Sequence, residues 1–201
     1  MSTATPNSNV AEKRMTVEEY LTFERVSEPR HEYVNGAAVE MVGASRQHGL
    51  IKISLVTWLN LHIMEAELAA EIHAEALKVR IPSTGHYRYP DIAIINGEPE
   101  LLDEEAADTL LNPTTLMEIL SPSTASSDRR EKFEEYKSIA TFNEYMLIAQ
   151  DQMHIERFTR NDDGTWSEAE VYTDPDSELA IASIDAKVSL SRIYSKIKFD
   201  K

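Results

Sequence analysis

Apolar positions recur along this chain with two different periods. From about Arg46 to Ala70, the residues Leu50, Ile53, Leu55, Trp58, Leu61, Ile63 and Met64 return at helical spacing. This predicts the longest helix and the main cover of a sheet. Elsewhere the apolar blocks are short and β-prone: Glu71 to Pro82, Tyr87 to Ile95, Leu116 to Leu120, Glu144 to Ala149, Met153 to Thr159 and Trp166 to Tyr172. These read as strands. Pro90 inside the second block cannot donate to a ladder, which suits a strand beginning or a bulge. Near the N-terminus, Thr16-Val-Glu-Glu19 forms a capping box ahead of Tyr20, Leu21 and Phe23. A short helix therefore starts near Met15 and ends before Pro29. Asn35-Gly36 between β-prone residues predicts a two-residue hairpin. In that register Val34 opposes Ala37 and Glu32 opposes Val39. Glu32, Val34, Ala37, Val39 and Met41 then share one face, apolar except for Glu32. Residues Ile184 to Lys198 predict a strand or turn and a final short helix.

The exceptions to this patterning carry the candidate chemistry. Glu118 interrupts the run Leu116-Met117-Glu118-Ile119-Leu120. A carboxylate in a buried strand must be paired, metal-bound or protonated, because burying it alone costs too much. Asp91 opens the apolar part of its strand, and Glu32 marks an otherwise apolar face. Ser127 to Glu131 offers a capping box for a helix running through Phe133, Tyr136 and Ala140. On it Lys132 and Tyr136 are four residues apart and share a side. Carboxylates brought together repel unless a cation holds them. Mg²⁺ favours such hard oxygen donors, and is typically held by one or two carboxylates. A metal of this kind activates water and stabilises charge on phosphorus, and a nearby lysine neutralises developing charge. Asp91, Glu118, Lys132 and Glu32 are together a toolkit for phosphodiester hydrolysis. The competing reading is a structural ion pair between Glu118 and Arg129 or Lys132. His48 reads first as a surface or capping group at its helix start. Ser121, Ser123 and Thr124 read as caps that shape a turn rather than as phosphate contacts.

Composition adjusts this picture in three ways. The 201 residues fit a disordered tail over 1–14 followed by one domain over 15–201. Cysteine is absent, so thiolate metal sites and disulfides are excluded. No apolar run approaches the ~20 residues of a membrane span. The start of the chain lacks the apolar core of a signal peptide, and a cytoplasmic location is expected. The formal net charge of −15 argues against a basic nucleic-acid footprint. Six of the acidic residues, however, cluster between Glu98 and Asp108. They read as a solvated loop, and if that loop sits away from a cleft the overall sign says little about the cleft.

Several short motifs recur in this order: Arg30-His-Glu-Tyr-Val-Asn-Gly36, Lys78-Val-Arg80, Tyr89-Pro-Asp91, Glu118-Ile-Leu-Ser-Pro-Ser-Thr124, Asp128-Arg129 with Lys132 and Tyr136, and Glu144-Tyr145. With them the chain resembles the Uma2-type endonuclease family of the PD-(D/E)xK restriction-endonuclease-like superfamily, over roughly residues 15–195. The resemblance implies an α/β (α+β) restriction-endonuclease-like core: a central mixed β-sheet flanked by helices, with an N-terminal helix and β-hairpin. It implies an Mg²⁺-dependent (or Mn²⁺-dependent) endonuclease acting on DNA, with RNA as the other candidate polymer, working as a homodimer or higher homo-oligomer. Asp91, Glu118 and Glu32 would be metal ligands and Lys132 the catalytic amine. One departure stands out. The superfamily's lysine two residues after the acidic position is Leu120 here. Lys132 is the candidate replacement and Lys78 its rival. The missing lysine and the acidic total keep a second reading open, a catalytically inactive binding or assembly module on the same fold.

Overall fold

The computed structural model describes residues 14–41, 43–122 and 124–199. The expected disordered tail, apart from residue 14, and Ser123 lie outside the described residues. The chain forms two compact units, one up to residue 42 and one from residue 43.

In the first unit, the Thr16 hydroxyl accepts from the Glu19 N–H and the Glu19 carboxylate accepts from the Thr16 N–H, which starts α1 (Val17–Glu24). The hairpin β1 (His31–Val34) and β2 (Ala37–Glu40) pairs Val34 with Ala37 and Glu32 with Val39, in the expected register. Asn35 (φ +52°) and Gly36 (φ +85°) supply the two left-handed positions that this turn needs. The buried face is the other one. His31 and Tyr33 are buried, Glu32 and Val34 only half-buried, and Val39 is 48% exposed. Packing within the unit explains this. The Tyr20 ring stacks on Tyr33 at 4.9 Å, and the Tyr20 hydroxyl donates to the His31 carbonyl at 2.6 Å. Glu32 is therefore not the buried carboxylate that the alternation predicts.

The second unit is built on a six-stranded sheet in the order β11-β10-β9-β8-β6-β3. Its strands are β3 (Ala70–His73), β6 (Ile92–Asn96), β8 (Thr115–Leu120), β9 (Glu144–Ala149), β10 (Ile155–Thr159) and β11 (Glu170–Tyr172). The β8–β9 pair is parallel and the other pairings are antiparallel, so the sheet is mixed as expected. The long helix α2 (Arg46–Glu65) is shorter than its periodicity suggests, because Ala70 already belongs to β3. The block from Glu71 to Pro82 is two strands, β3 and β4 (Lys78–Arg80), parted by a loop with Glu75 at φ +49°. Tyr89-Pro90-Asp91 likewise splits β5 (Tyr87–Arg88) from β6. Strand β4 pairs with β5 and, in parallel, with β7 (Thr109–Leu110). The hairpin β12 (Glu178–Ile181) and β13 (Ala186–Ser189) leads into α5 (Leu190–Ile193).

Alternation along the central strands sorts the core onto two faces. Ile92, Ile94, Met117, Ile119, Met146 and Ile148 pack with Ile51, Leu55 and Leu59 of α2. Ala93, Ile95, Leu116, Leu120, Tyr145 and Leu147 pack on the opposite side with Phe133 and Tyr136. Each large apolar side chain so buried contributes about 1.5–3 kcal/mol, so the register of β8 is strongly fixed. Glu118 lies between Leu116 and Leu120 and so shares their face, toward the helical segment 125–136.

That segment is not one regular helix. It comprises α3 (Ala125–Ser127), a π-helical turn (Asp128–Lys132) and α4 (Phe133–Tyr136). Ser127 does not cap it; the residue is already helical and its hydroxyl donates to Glu131 Oε2 at 3.3 Å. The lead-in turn is held by Ser121, whose Oγ accepts from the Thr124 N–H at 3.2 Å.

Candidate active site

Every residue of β8 is buried, and Glu118 is 3% exposed. Its Oε1 accepts from Lys132 Nζ at 3.2 Å and from the Tyr136 hydroxyl at 3.0 Å. The same ammonium lies 3.0 Å from Asp128 Oδ1, as an ion pair off the hydrogen-bonding direction. Lys132 thus sits between two buried carboxylates, which offset the cost of burying its charge. The π turn carries both Asp128 and Lys132 inward, and turns of this kind recur at functional sites. The neighbouring residue of Tyr136 fixes the helix from outside: Glu135 accepts from Arg88 at 2.8 and 3.0 Å and pairs with His86 Nδ1 at 2.8 Å. Burial pushes the Glu135 carboxyl up, but Arg88 and His86 outweigh it and hold it below its ordinary value.

Asp91, 7% exposed, stands just before β6. Ile92 of β6 pairs with Met117 of β8, so Asp91 falls opposite Glu118 at the end of that ladder. Its Oδ2 accepts from the Ile119 N–H at 2.8 Å, one residue past Glu118. Helix α2 supplies the remaining partners. His48 Nε2 lies 2.9 Å from Oδ1 and 3.0 Å from Oδ2, and Lys52 Nζ lies 3.5 Å from Oδ1. The start of α2 is fixed by Ser45, whose Oγ accepts from the His48 N–H at 3.1 Å and donates to Gln150 Oε1. Burial raises the Asp91 carboxyl, but His48, the Ile119 amide and Lys52 together hold it below its ordinary value. His48 Nδ1 is buried and has no hydrogen-bond partner among the described residues.

Of the expected residues, Glu118 and Lys132 are in direct contact, while Asp91 falls opposite Glu118 in the β6–β8 ladder and takes its side-chain partners from α2. Lys78, the rival amine, is engaged elsewhere, 3.0 Å from Asp108 Oδ2 and 5.9 Å from the Tyr89 ring centroid. Glu32 belongs to the first unit, where it is half-buried on β1. The acidic loop is largely solvated as expected, apart from half-buried Asp103 and Asp108. Sequence reasoning missed Lys52 and Asp128 as site members and ranked His48 low. The spacing of His48 and Lys52, four residues apart on α2, was the available signal.

Among the described residues, no three His, Asp or Glu side chains converge into a ready-made metal cage. Carboxylates are nevertheless the donor type that a hard divalent cation takes. Asp91 and Glu118 give two carboxylates on adjacent strands, the number Mg²⁺ typically takes from protein.

The comparisons with known proteins agree with this architecture. The family model Uma2, described as "putative restriction endonuclease", matches residues 17–191. Two uncharacterized proteins of Synechocystis are similar. One is 31% identical over 153 residues (76% of this chain, 78% of the relative), the other 30% identical over 154 residues (77% and 85%). A crystal structure from Anabaena variabilis, titled a putative nuclease belonging to DUF820, superposes with a TM-score of 0.72 at 21% identity. It covers 90% of this chain and 98% of that one, which shows the fold.

Proposed function

This chain belongs to the Uma2 family, and from that premise we propose that it is a metal-dependent nuclease hydrolysing phosphodiester bonds of DNA. The observation that carries the reading is Lys132 Nζ at 3.2 Å from Glu118. It supplies, from a different element, the amine that the superfamily pattern would place at Leu120. Asp91 and Glu118 would hold the divalent cation, Mg²⁺ or Mn²⁺. When bound, such a cation acts as a Lewis acid at phosphate and lowers the pKa of water.

The chain's own residues do the rest. Lys132, anchored by Asp128, is positioned to donate to a phosphate oxygen or to hold the attacking water. Tyr136 fixes the rotamer of Glu118, and His48 with the Ile119 amide fixes that of Asp91. Such preorganisation lowers the cost of reaching the transition state. The nuclease description of the family and of the Anabaena relative supports this reading. The net charge of −15 implies weak nonspecific affinity for DNA. A homodimer, one site per strand, is the proposed assembly, checked by light scattering. No helix among the described residues is long and apolar enough to cross a membrane.

The test is cleavage of plasmid DNA, single-stranded DNA and RNA with Mg²⁺ or Mn²⁺. The wild type should nick or linearise DNA, and Glu118→Gln should not. Equal activity of the two would place any cleavage elsewhere. Silence of the wild type on all three polymers would favour the inactive assembly module.

A further inference from the structure

Lys52 stands outside the set of carboxylates and amine that would run the chemistry, yet it is tightly placed. Its Nζ lies 2.5 Å from Glu75 Oε1 and 3.5 Å from Asp91 Oδ1, with the side chain 16% exposed. Glu75 reaches it from the loop between β3 and β4, where its backbone is left-handed at φ +49°. A non-glycine residue held there is strained and persists only where the surroundings impose it. The ammonium thus bridges two carboxylates, one from the β3–β4 loop and one from the residue before β6. One of the two is the aspartate proposed to hold the metal.

We propose that Lys52 is a resident counter-cation at the Asp91 end of the site, and that a divalent cation enters by displacing it. The inference rests on the metal-dependent reading of Asp91 and adds a control on loading. The electrostatics are direct. A lysine is a compact charge on a flexible four-carbon stem, able to leave a partly open position without unfolding anything. A divalent ion beside Asp91 repels the ammonium and draws the same carboxylate more strongly. Without metal, Lys52 compensates Glu75 and adds its charge to that of His48 and the Ile119 amide at Asp91. The protein is then stable when empty, and its metal affinity is lowered by the free energy of moving Lys52 aside. His48 Nε2 and the Ile119 amide hold the carboxylate in place throughout the exchange.

The experiment is a titration of Mg²⁺ and Mn²⁺ into the full chain, followed by calorimetry and by melting temperature. Three proteins are compared: wild type, Lys52→Met and Lys52→Arg. Metal-free Lys52→Met should melt below wild type, yet bind both metals at least ten-fold more tightly and gain more in melting temperature on loading. Lys52→Arg keeps a cation and should bind metal no more tightly than wild type, whatever the fate of the Met variant. Equal or weaker binding by Lys52→Met would overturn the resident-cation inference, and so would tighter binding by Lys52→Arg. In either case the nuclease reading stands on its own cleavage assay. Absence of metal binding in all three proteins would overturn the inference and the metal-dependent reading together.

Discussion

Two glutamates lie on adjacent parallel strands with nearly the same burial and different partners. Glu144 begins β9 beside Thr115, and Glu118 lies farther along β8 beside Leu147. Glu144 is held by the Arg157 guanidinium at 2.7 Å, by the Thr115 hydroxyl at 3.1 Å and by the Ala182 N–H at 3.1 Å. Burial works against the charge of Arg157, but Glu144 more than offsets it and holds the guanidinium above its already high ordinary value. Glu118 is held by an ammonium and a phenol. A planar guanidinium with a backbone amide is a fixed lock. A lysine and a tyrosine can change partners and move protons. The difference lies in partner chemistry and in position. Glu118 lies toward the carboxyl end of β8, and Glu144 at the amino end of β9.

The contrast can be broken in several places. Glu144→Ala should cost the most stability, on the order of 3 kcal/mol, because it takes the buried acceptor from the Thr115 hydroxyl and the Ala182 N–H and leaves half-buried Arg157 only the exposed Glu170. Urea unfolding measures this, and cleavage per folded molecule should stay unchanged. Glu118→Gln should do the reverse. Its cleavage should fall on the order of 10²–10³-fold, the scale of one preorganised electrostatic group, at a much smaller cost in unfolding free energy. If Glu118→Gln proves the more destabilising of the two, the distinction between lock and site fails. Lys132→Met should lower the rate by about 10²-fold, and Lys132→Arg should not restore it, since a planar fork does not replace a point charge.

A smaller effect concerns pH. The folded state holds the Asp91 carboxyl below its ordinary value, so the unfolded chain binds the proton first as pH falls. Stability from this group is complete above the unfolded pKa of about 3.9 and is lost as pH drops through the lower folded value. In metal-free buffer, acid unfolding of the wild type should therefore be steeper below about pH 4 than that of Asp91→Asn. Parallel curves would contradict the assignment. The smallest effect belongs to the partly exposed pair of Arg129 with Glu156. Arg129→Ala should change stability by less than about 0.5–1 kcal/mol.

Much of this arrangement was readable from the chain itself. Glu118 announced itself by standing in an apolar run, and the spacing of Lys132 and Tyr136 put both on one side of their helix, which the structure turns toward Glu118. The hairpin register came from Asn35-Gly36. Its buried face did not, because alternation fixes which residues share a face but not which face Tyr20 covers. The apolar spacing of α2 ran on past its end, since Leu68 and Ala70 are apolar in either structure. Lys52, Glu75 and Asp128 stayed hidden for another reason. Their meaning lies in charges brought together by the tertiary fold, and each alone looks like an ordinary surface residue. The arginine partner of Glu144, thirteen residues away across the β9–β10 pair, was hidden in the same way.

The π turn at Asp128–Lys132 stands between α3 and α4. A π turn holds one residue more than the α turn it replaces. Removing one residue there would let an α turn close in its place, with α3 and α4 still in phase and Phe133 and Tyr136 still seated in the core. What would change is the spacing of Asp128 and Lys132, and with it the pair that holds the ammonium beside Glu118. A one-residue deletion at this point would therefore spare the packing and reach the chemistry.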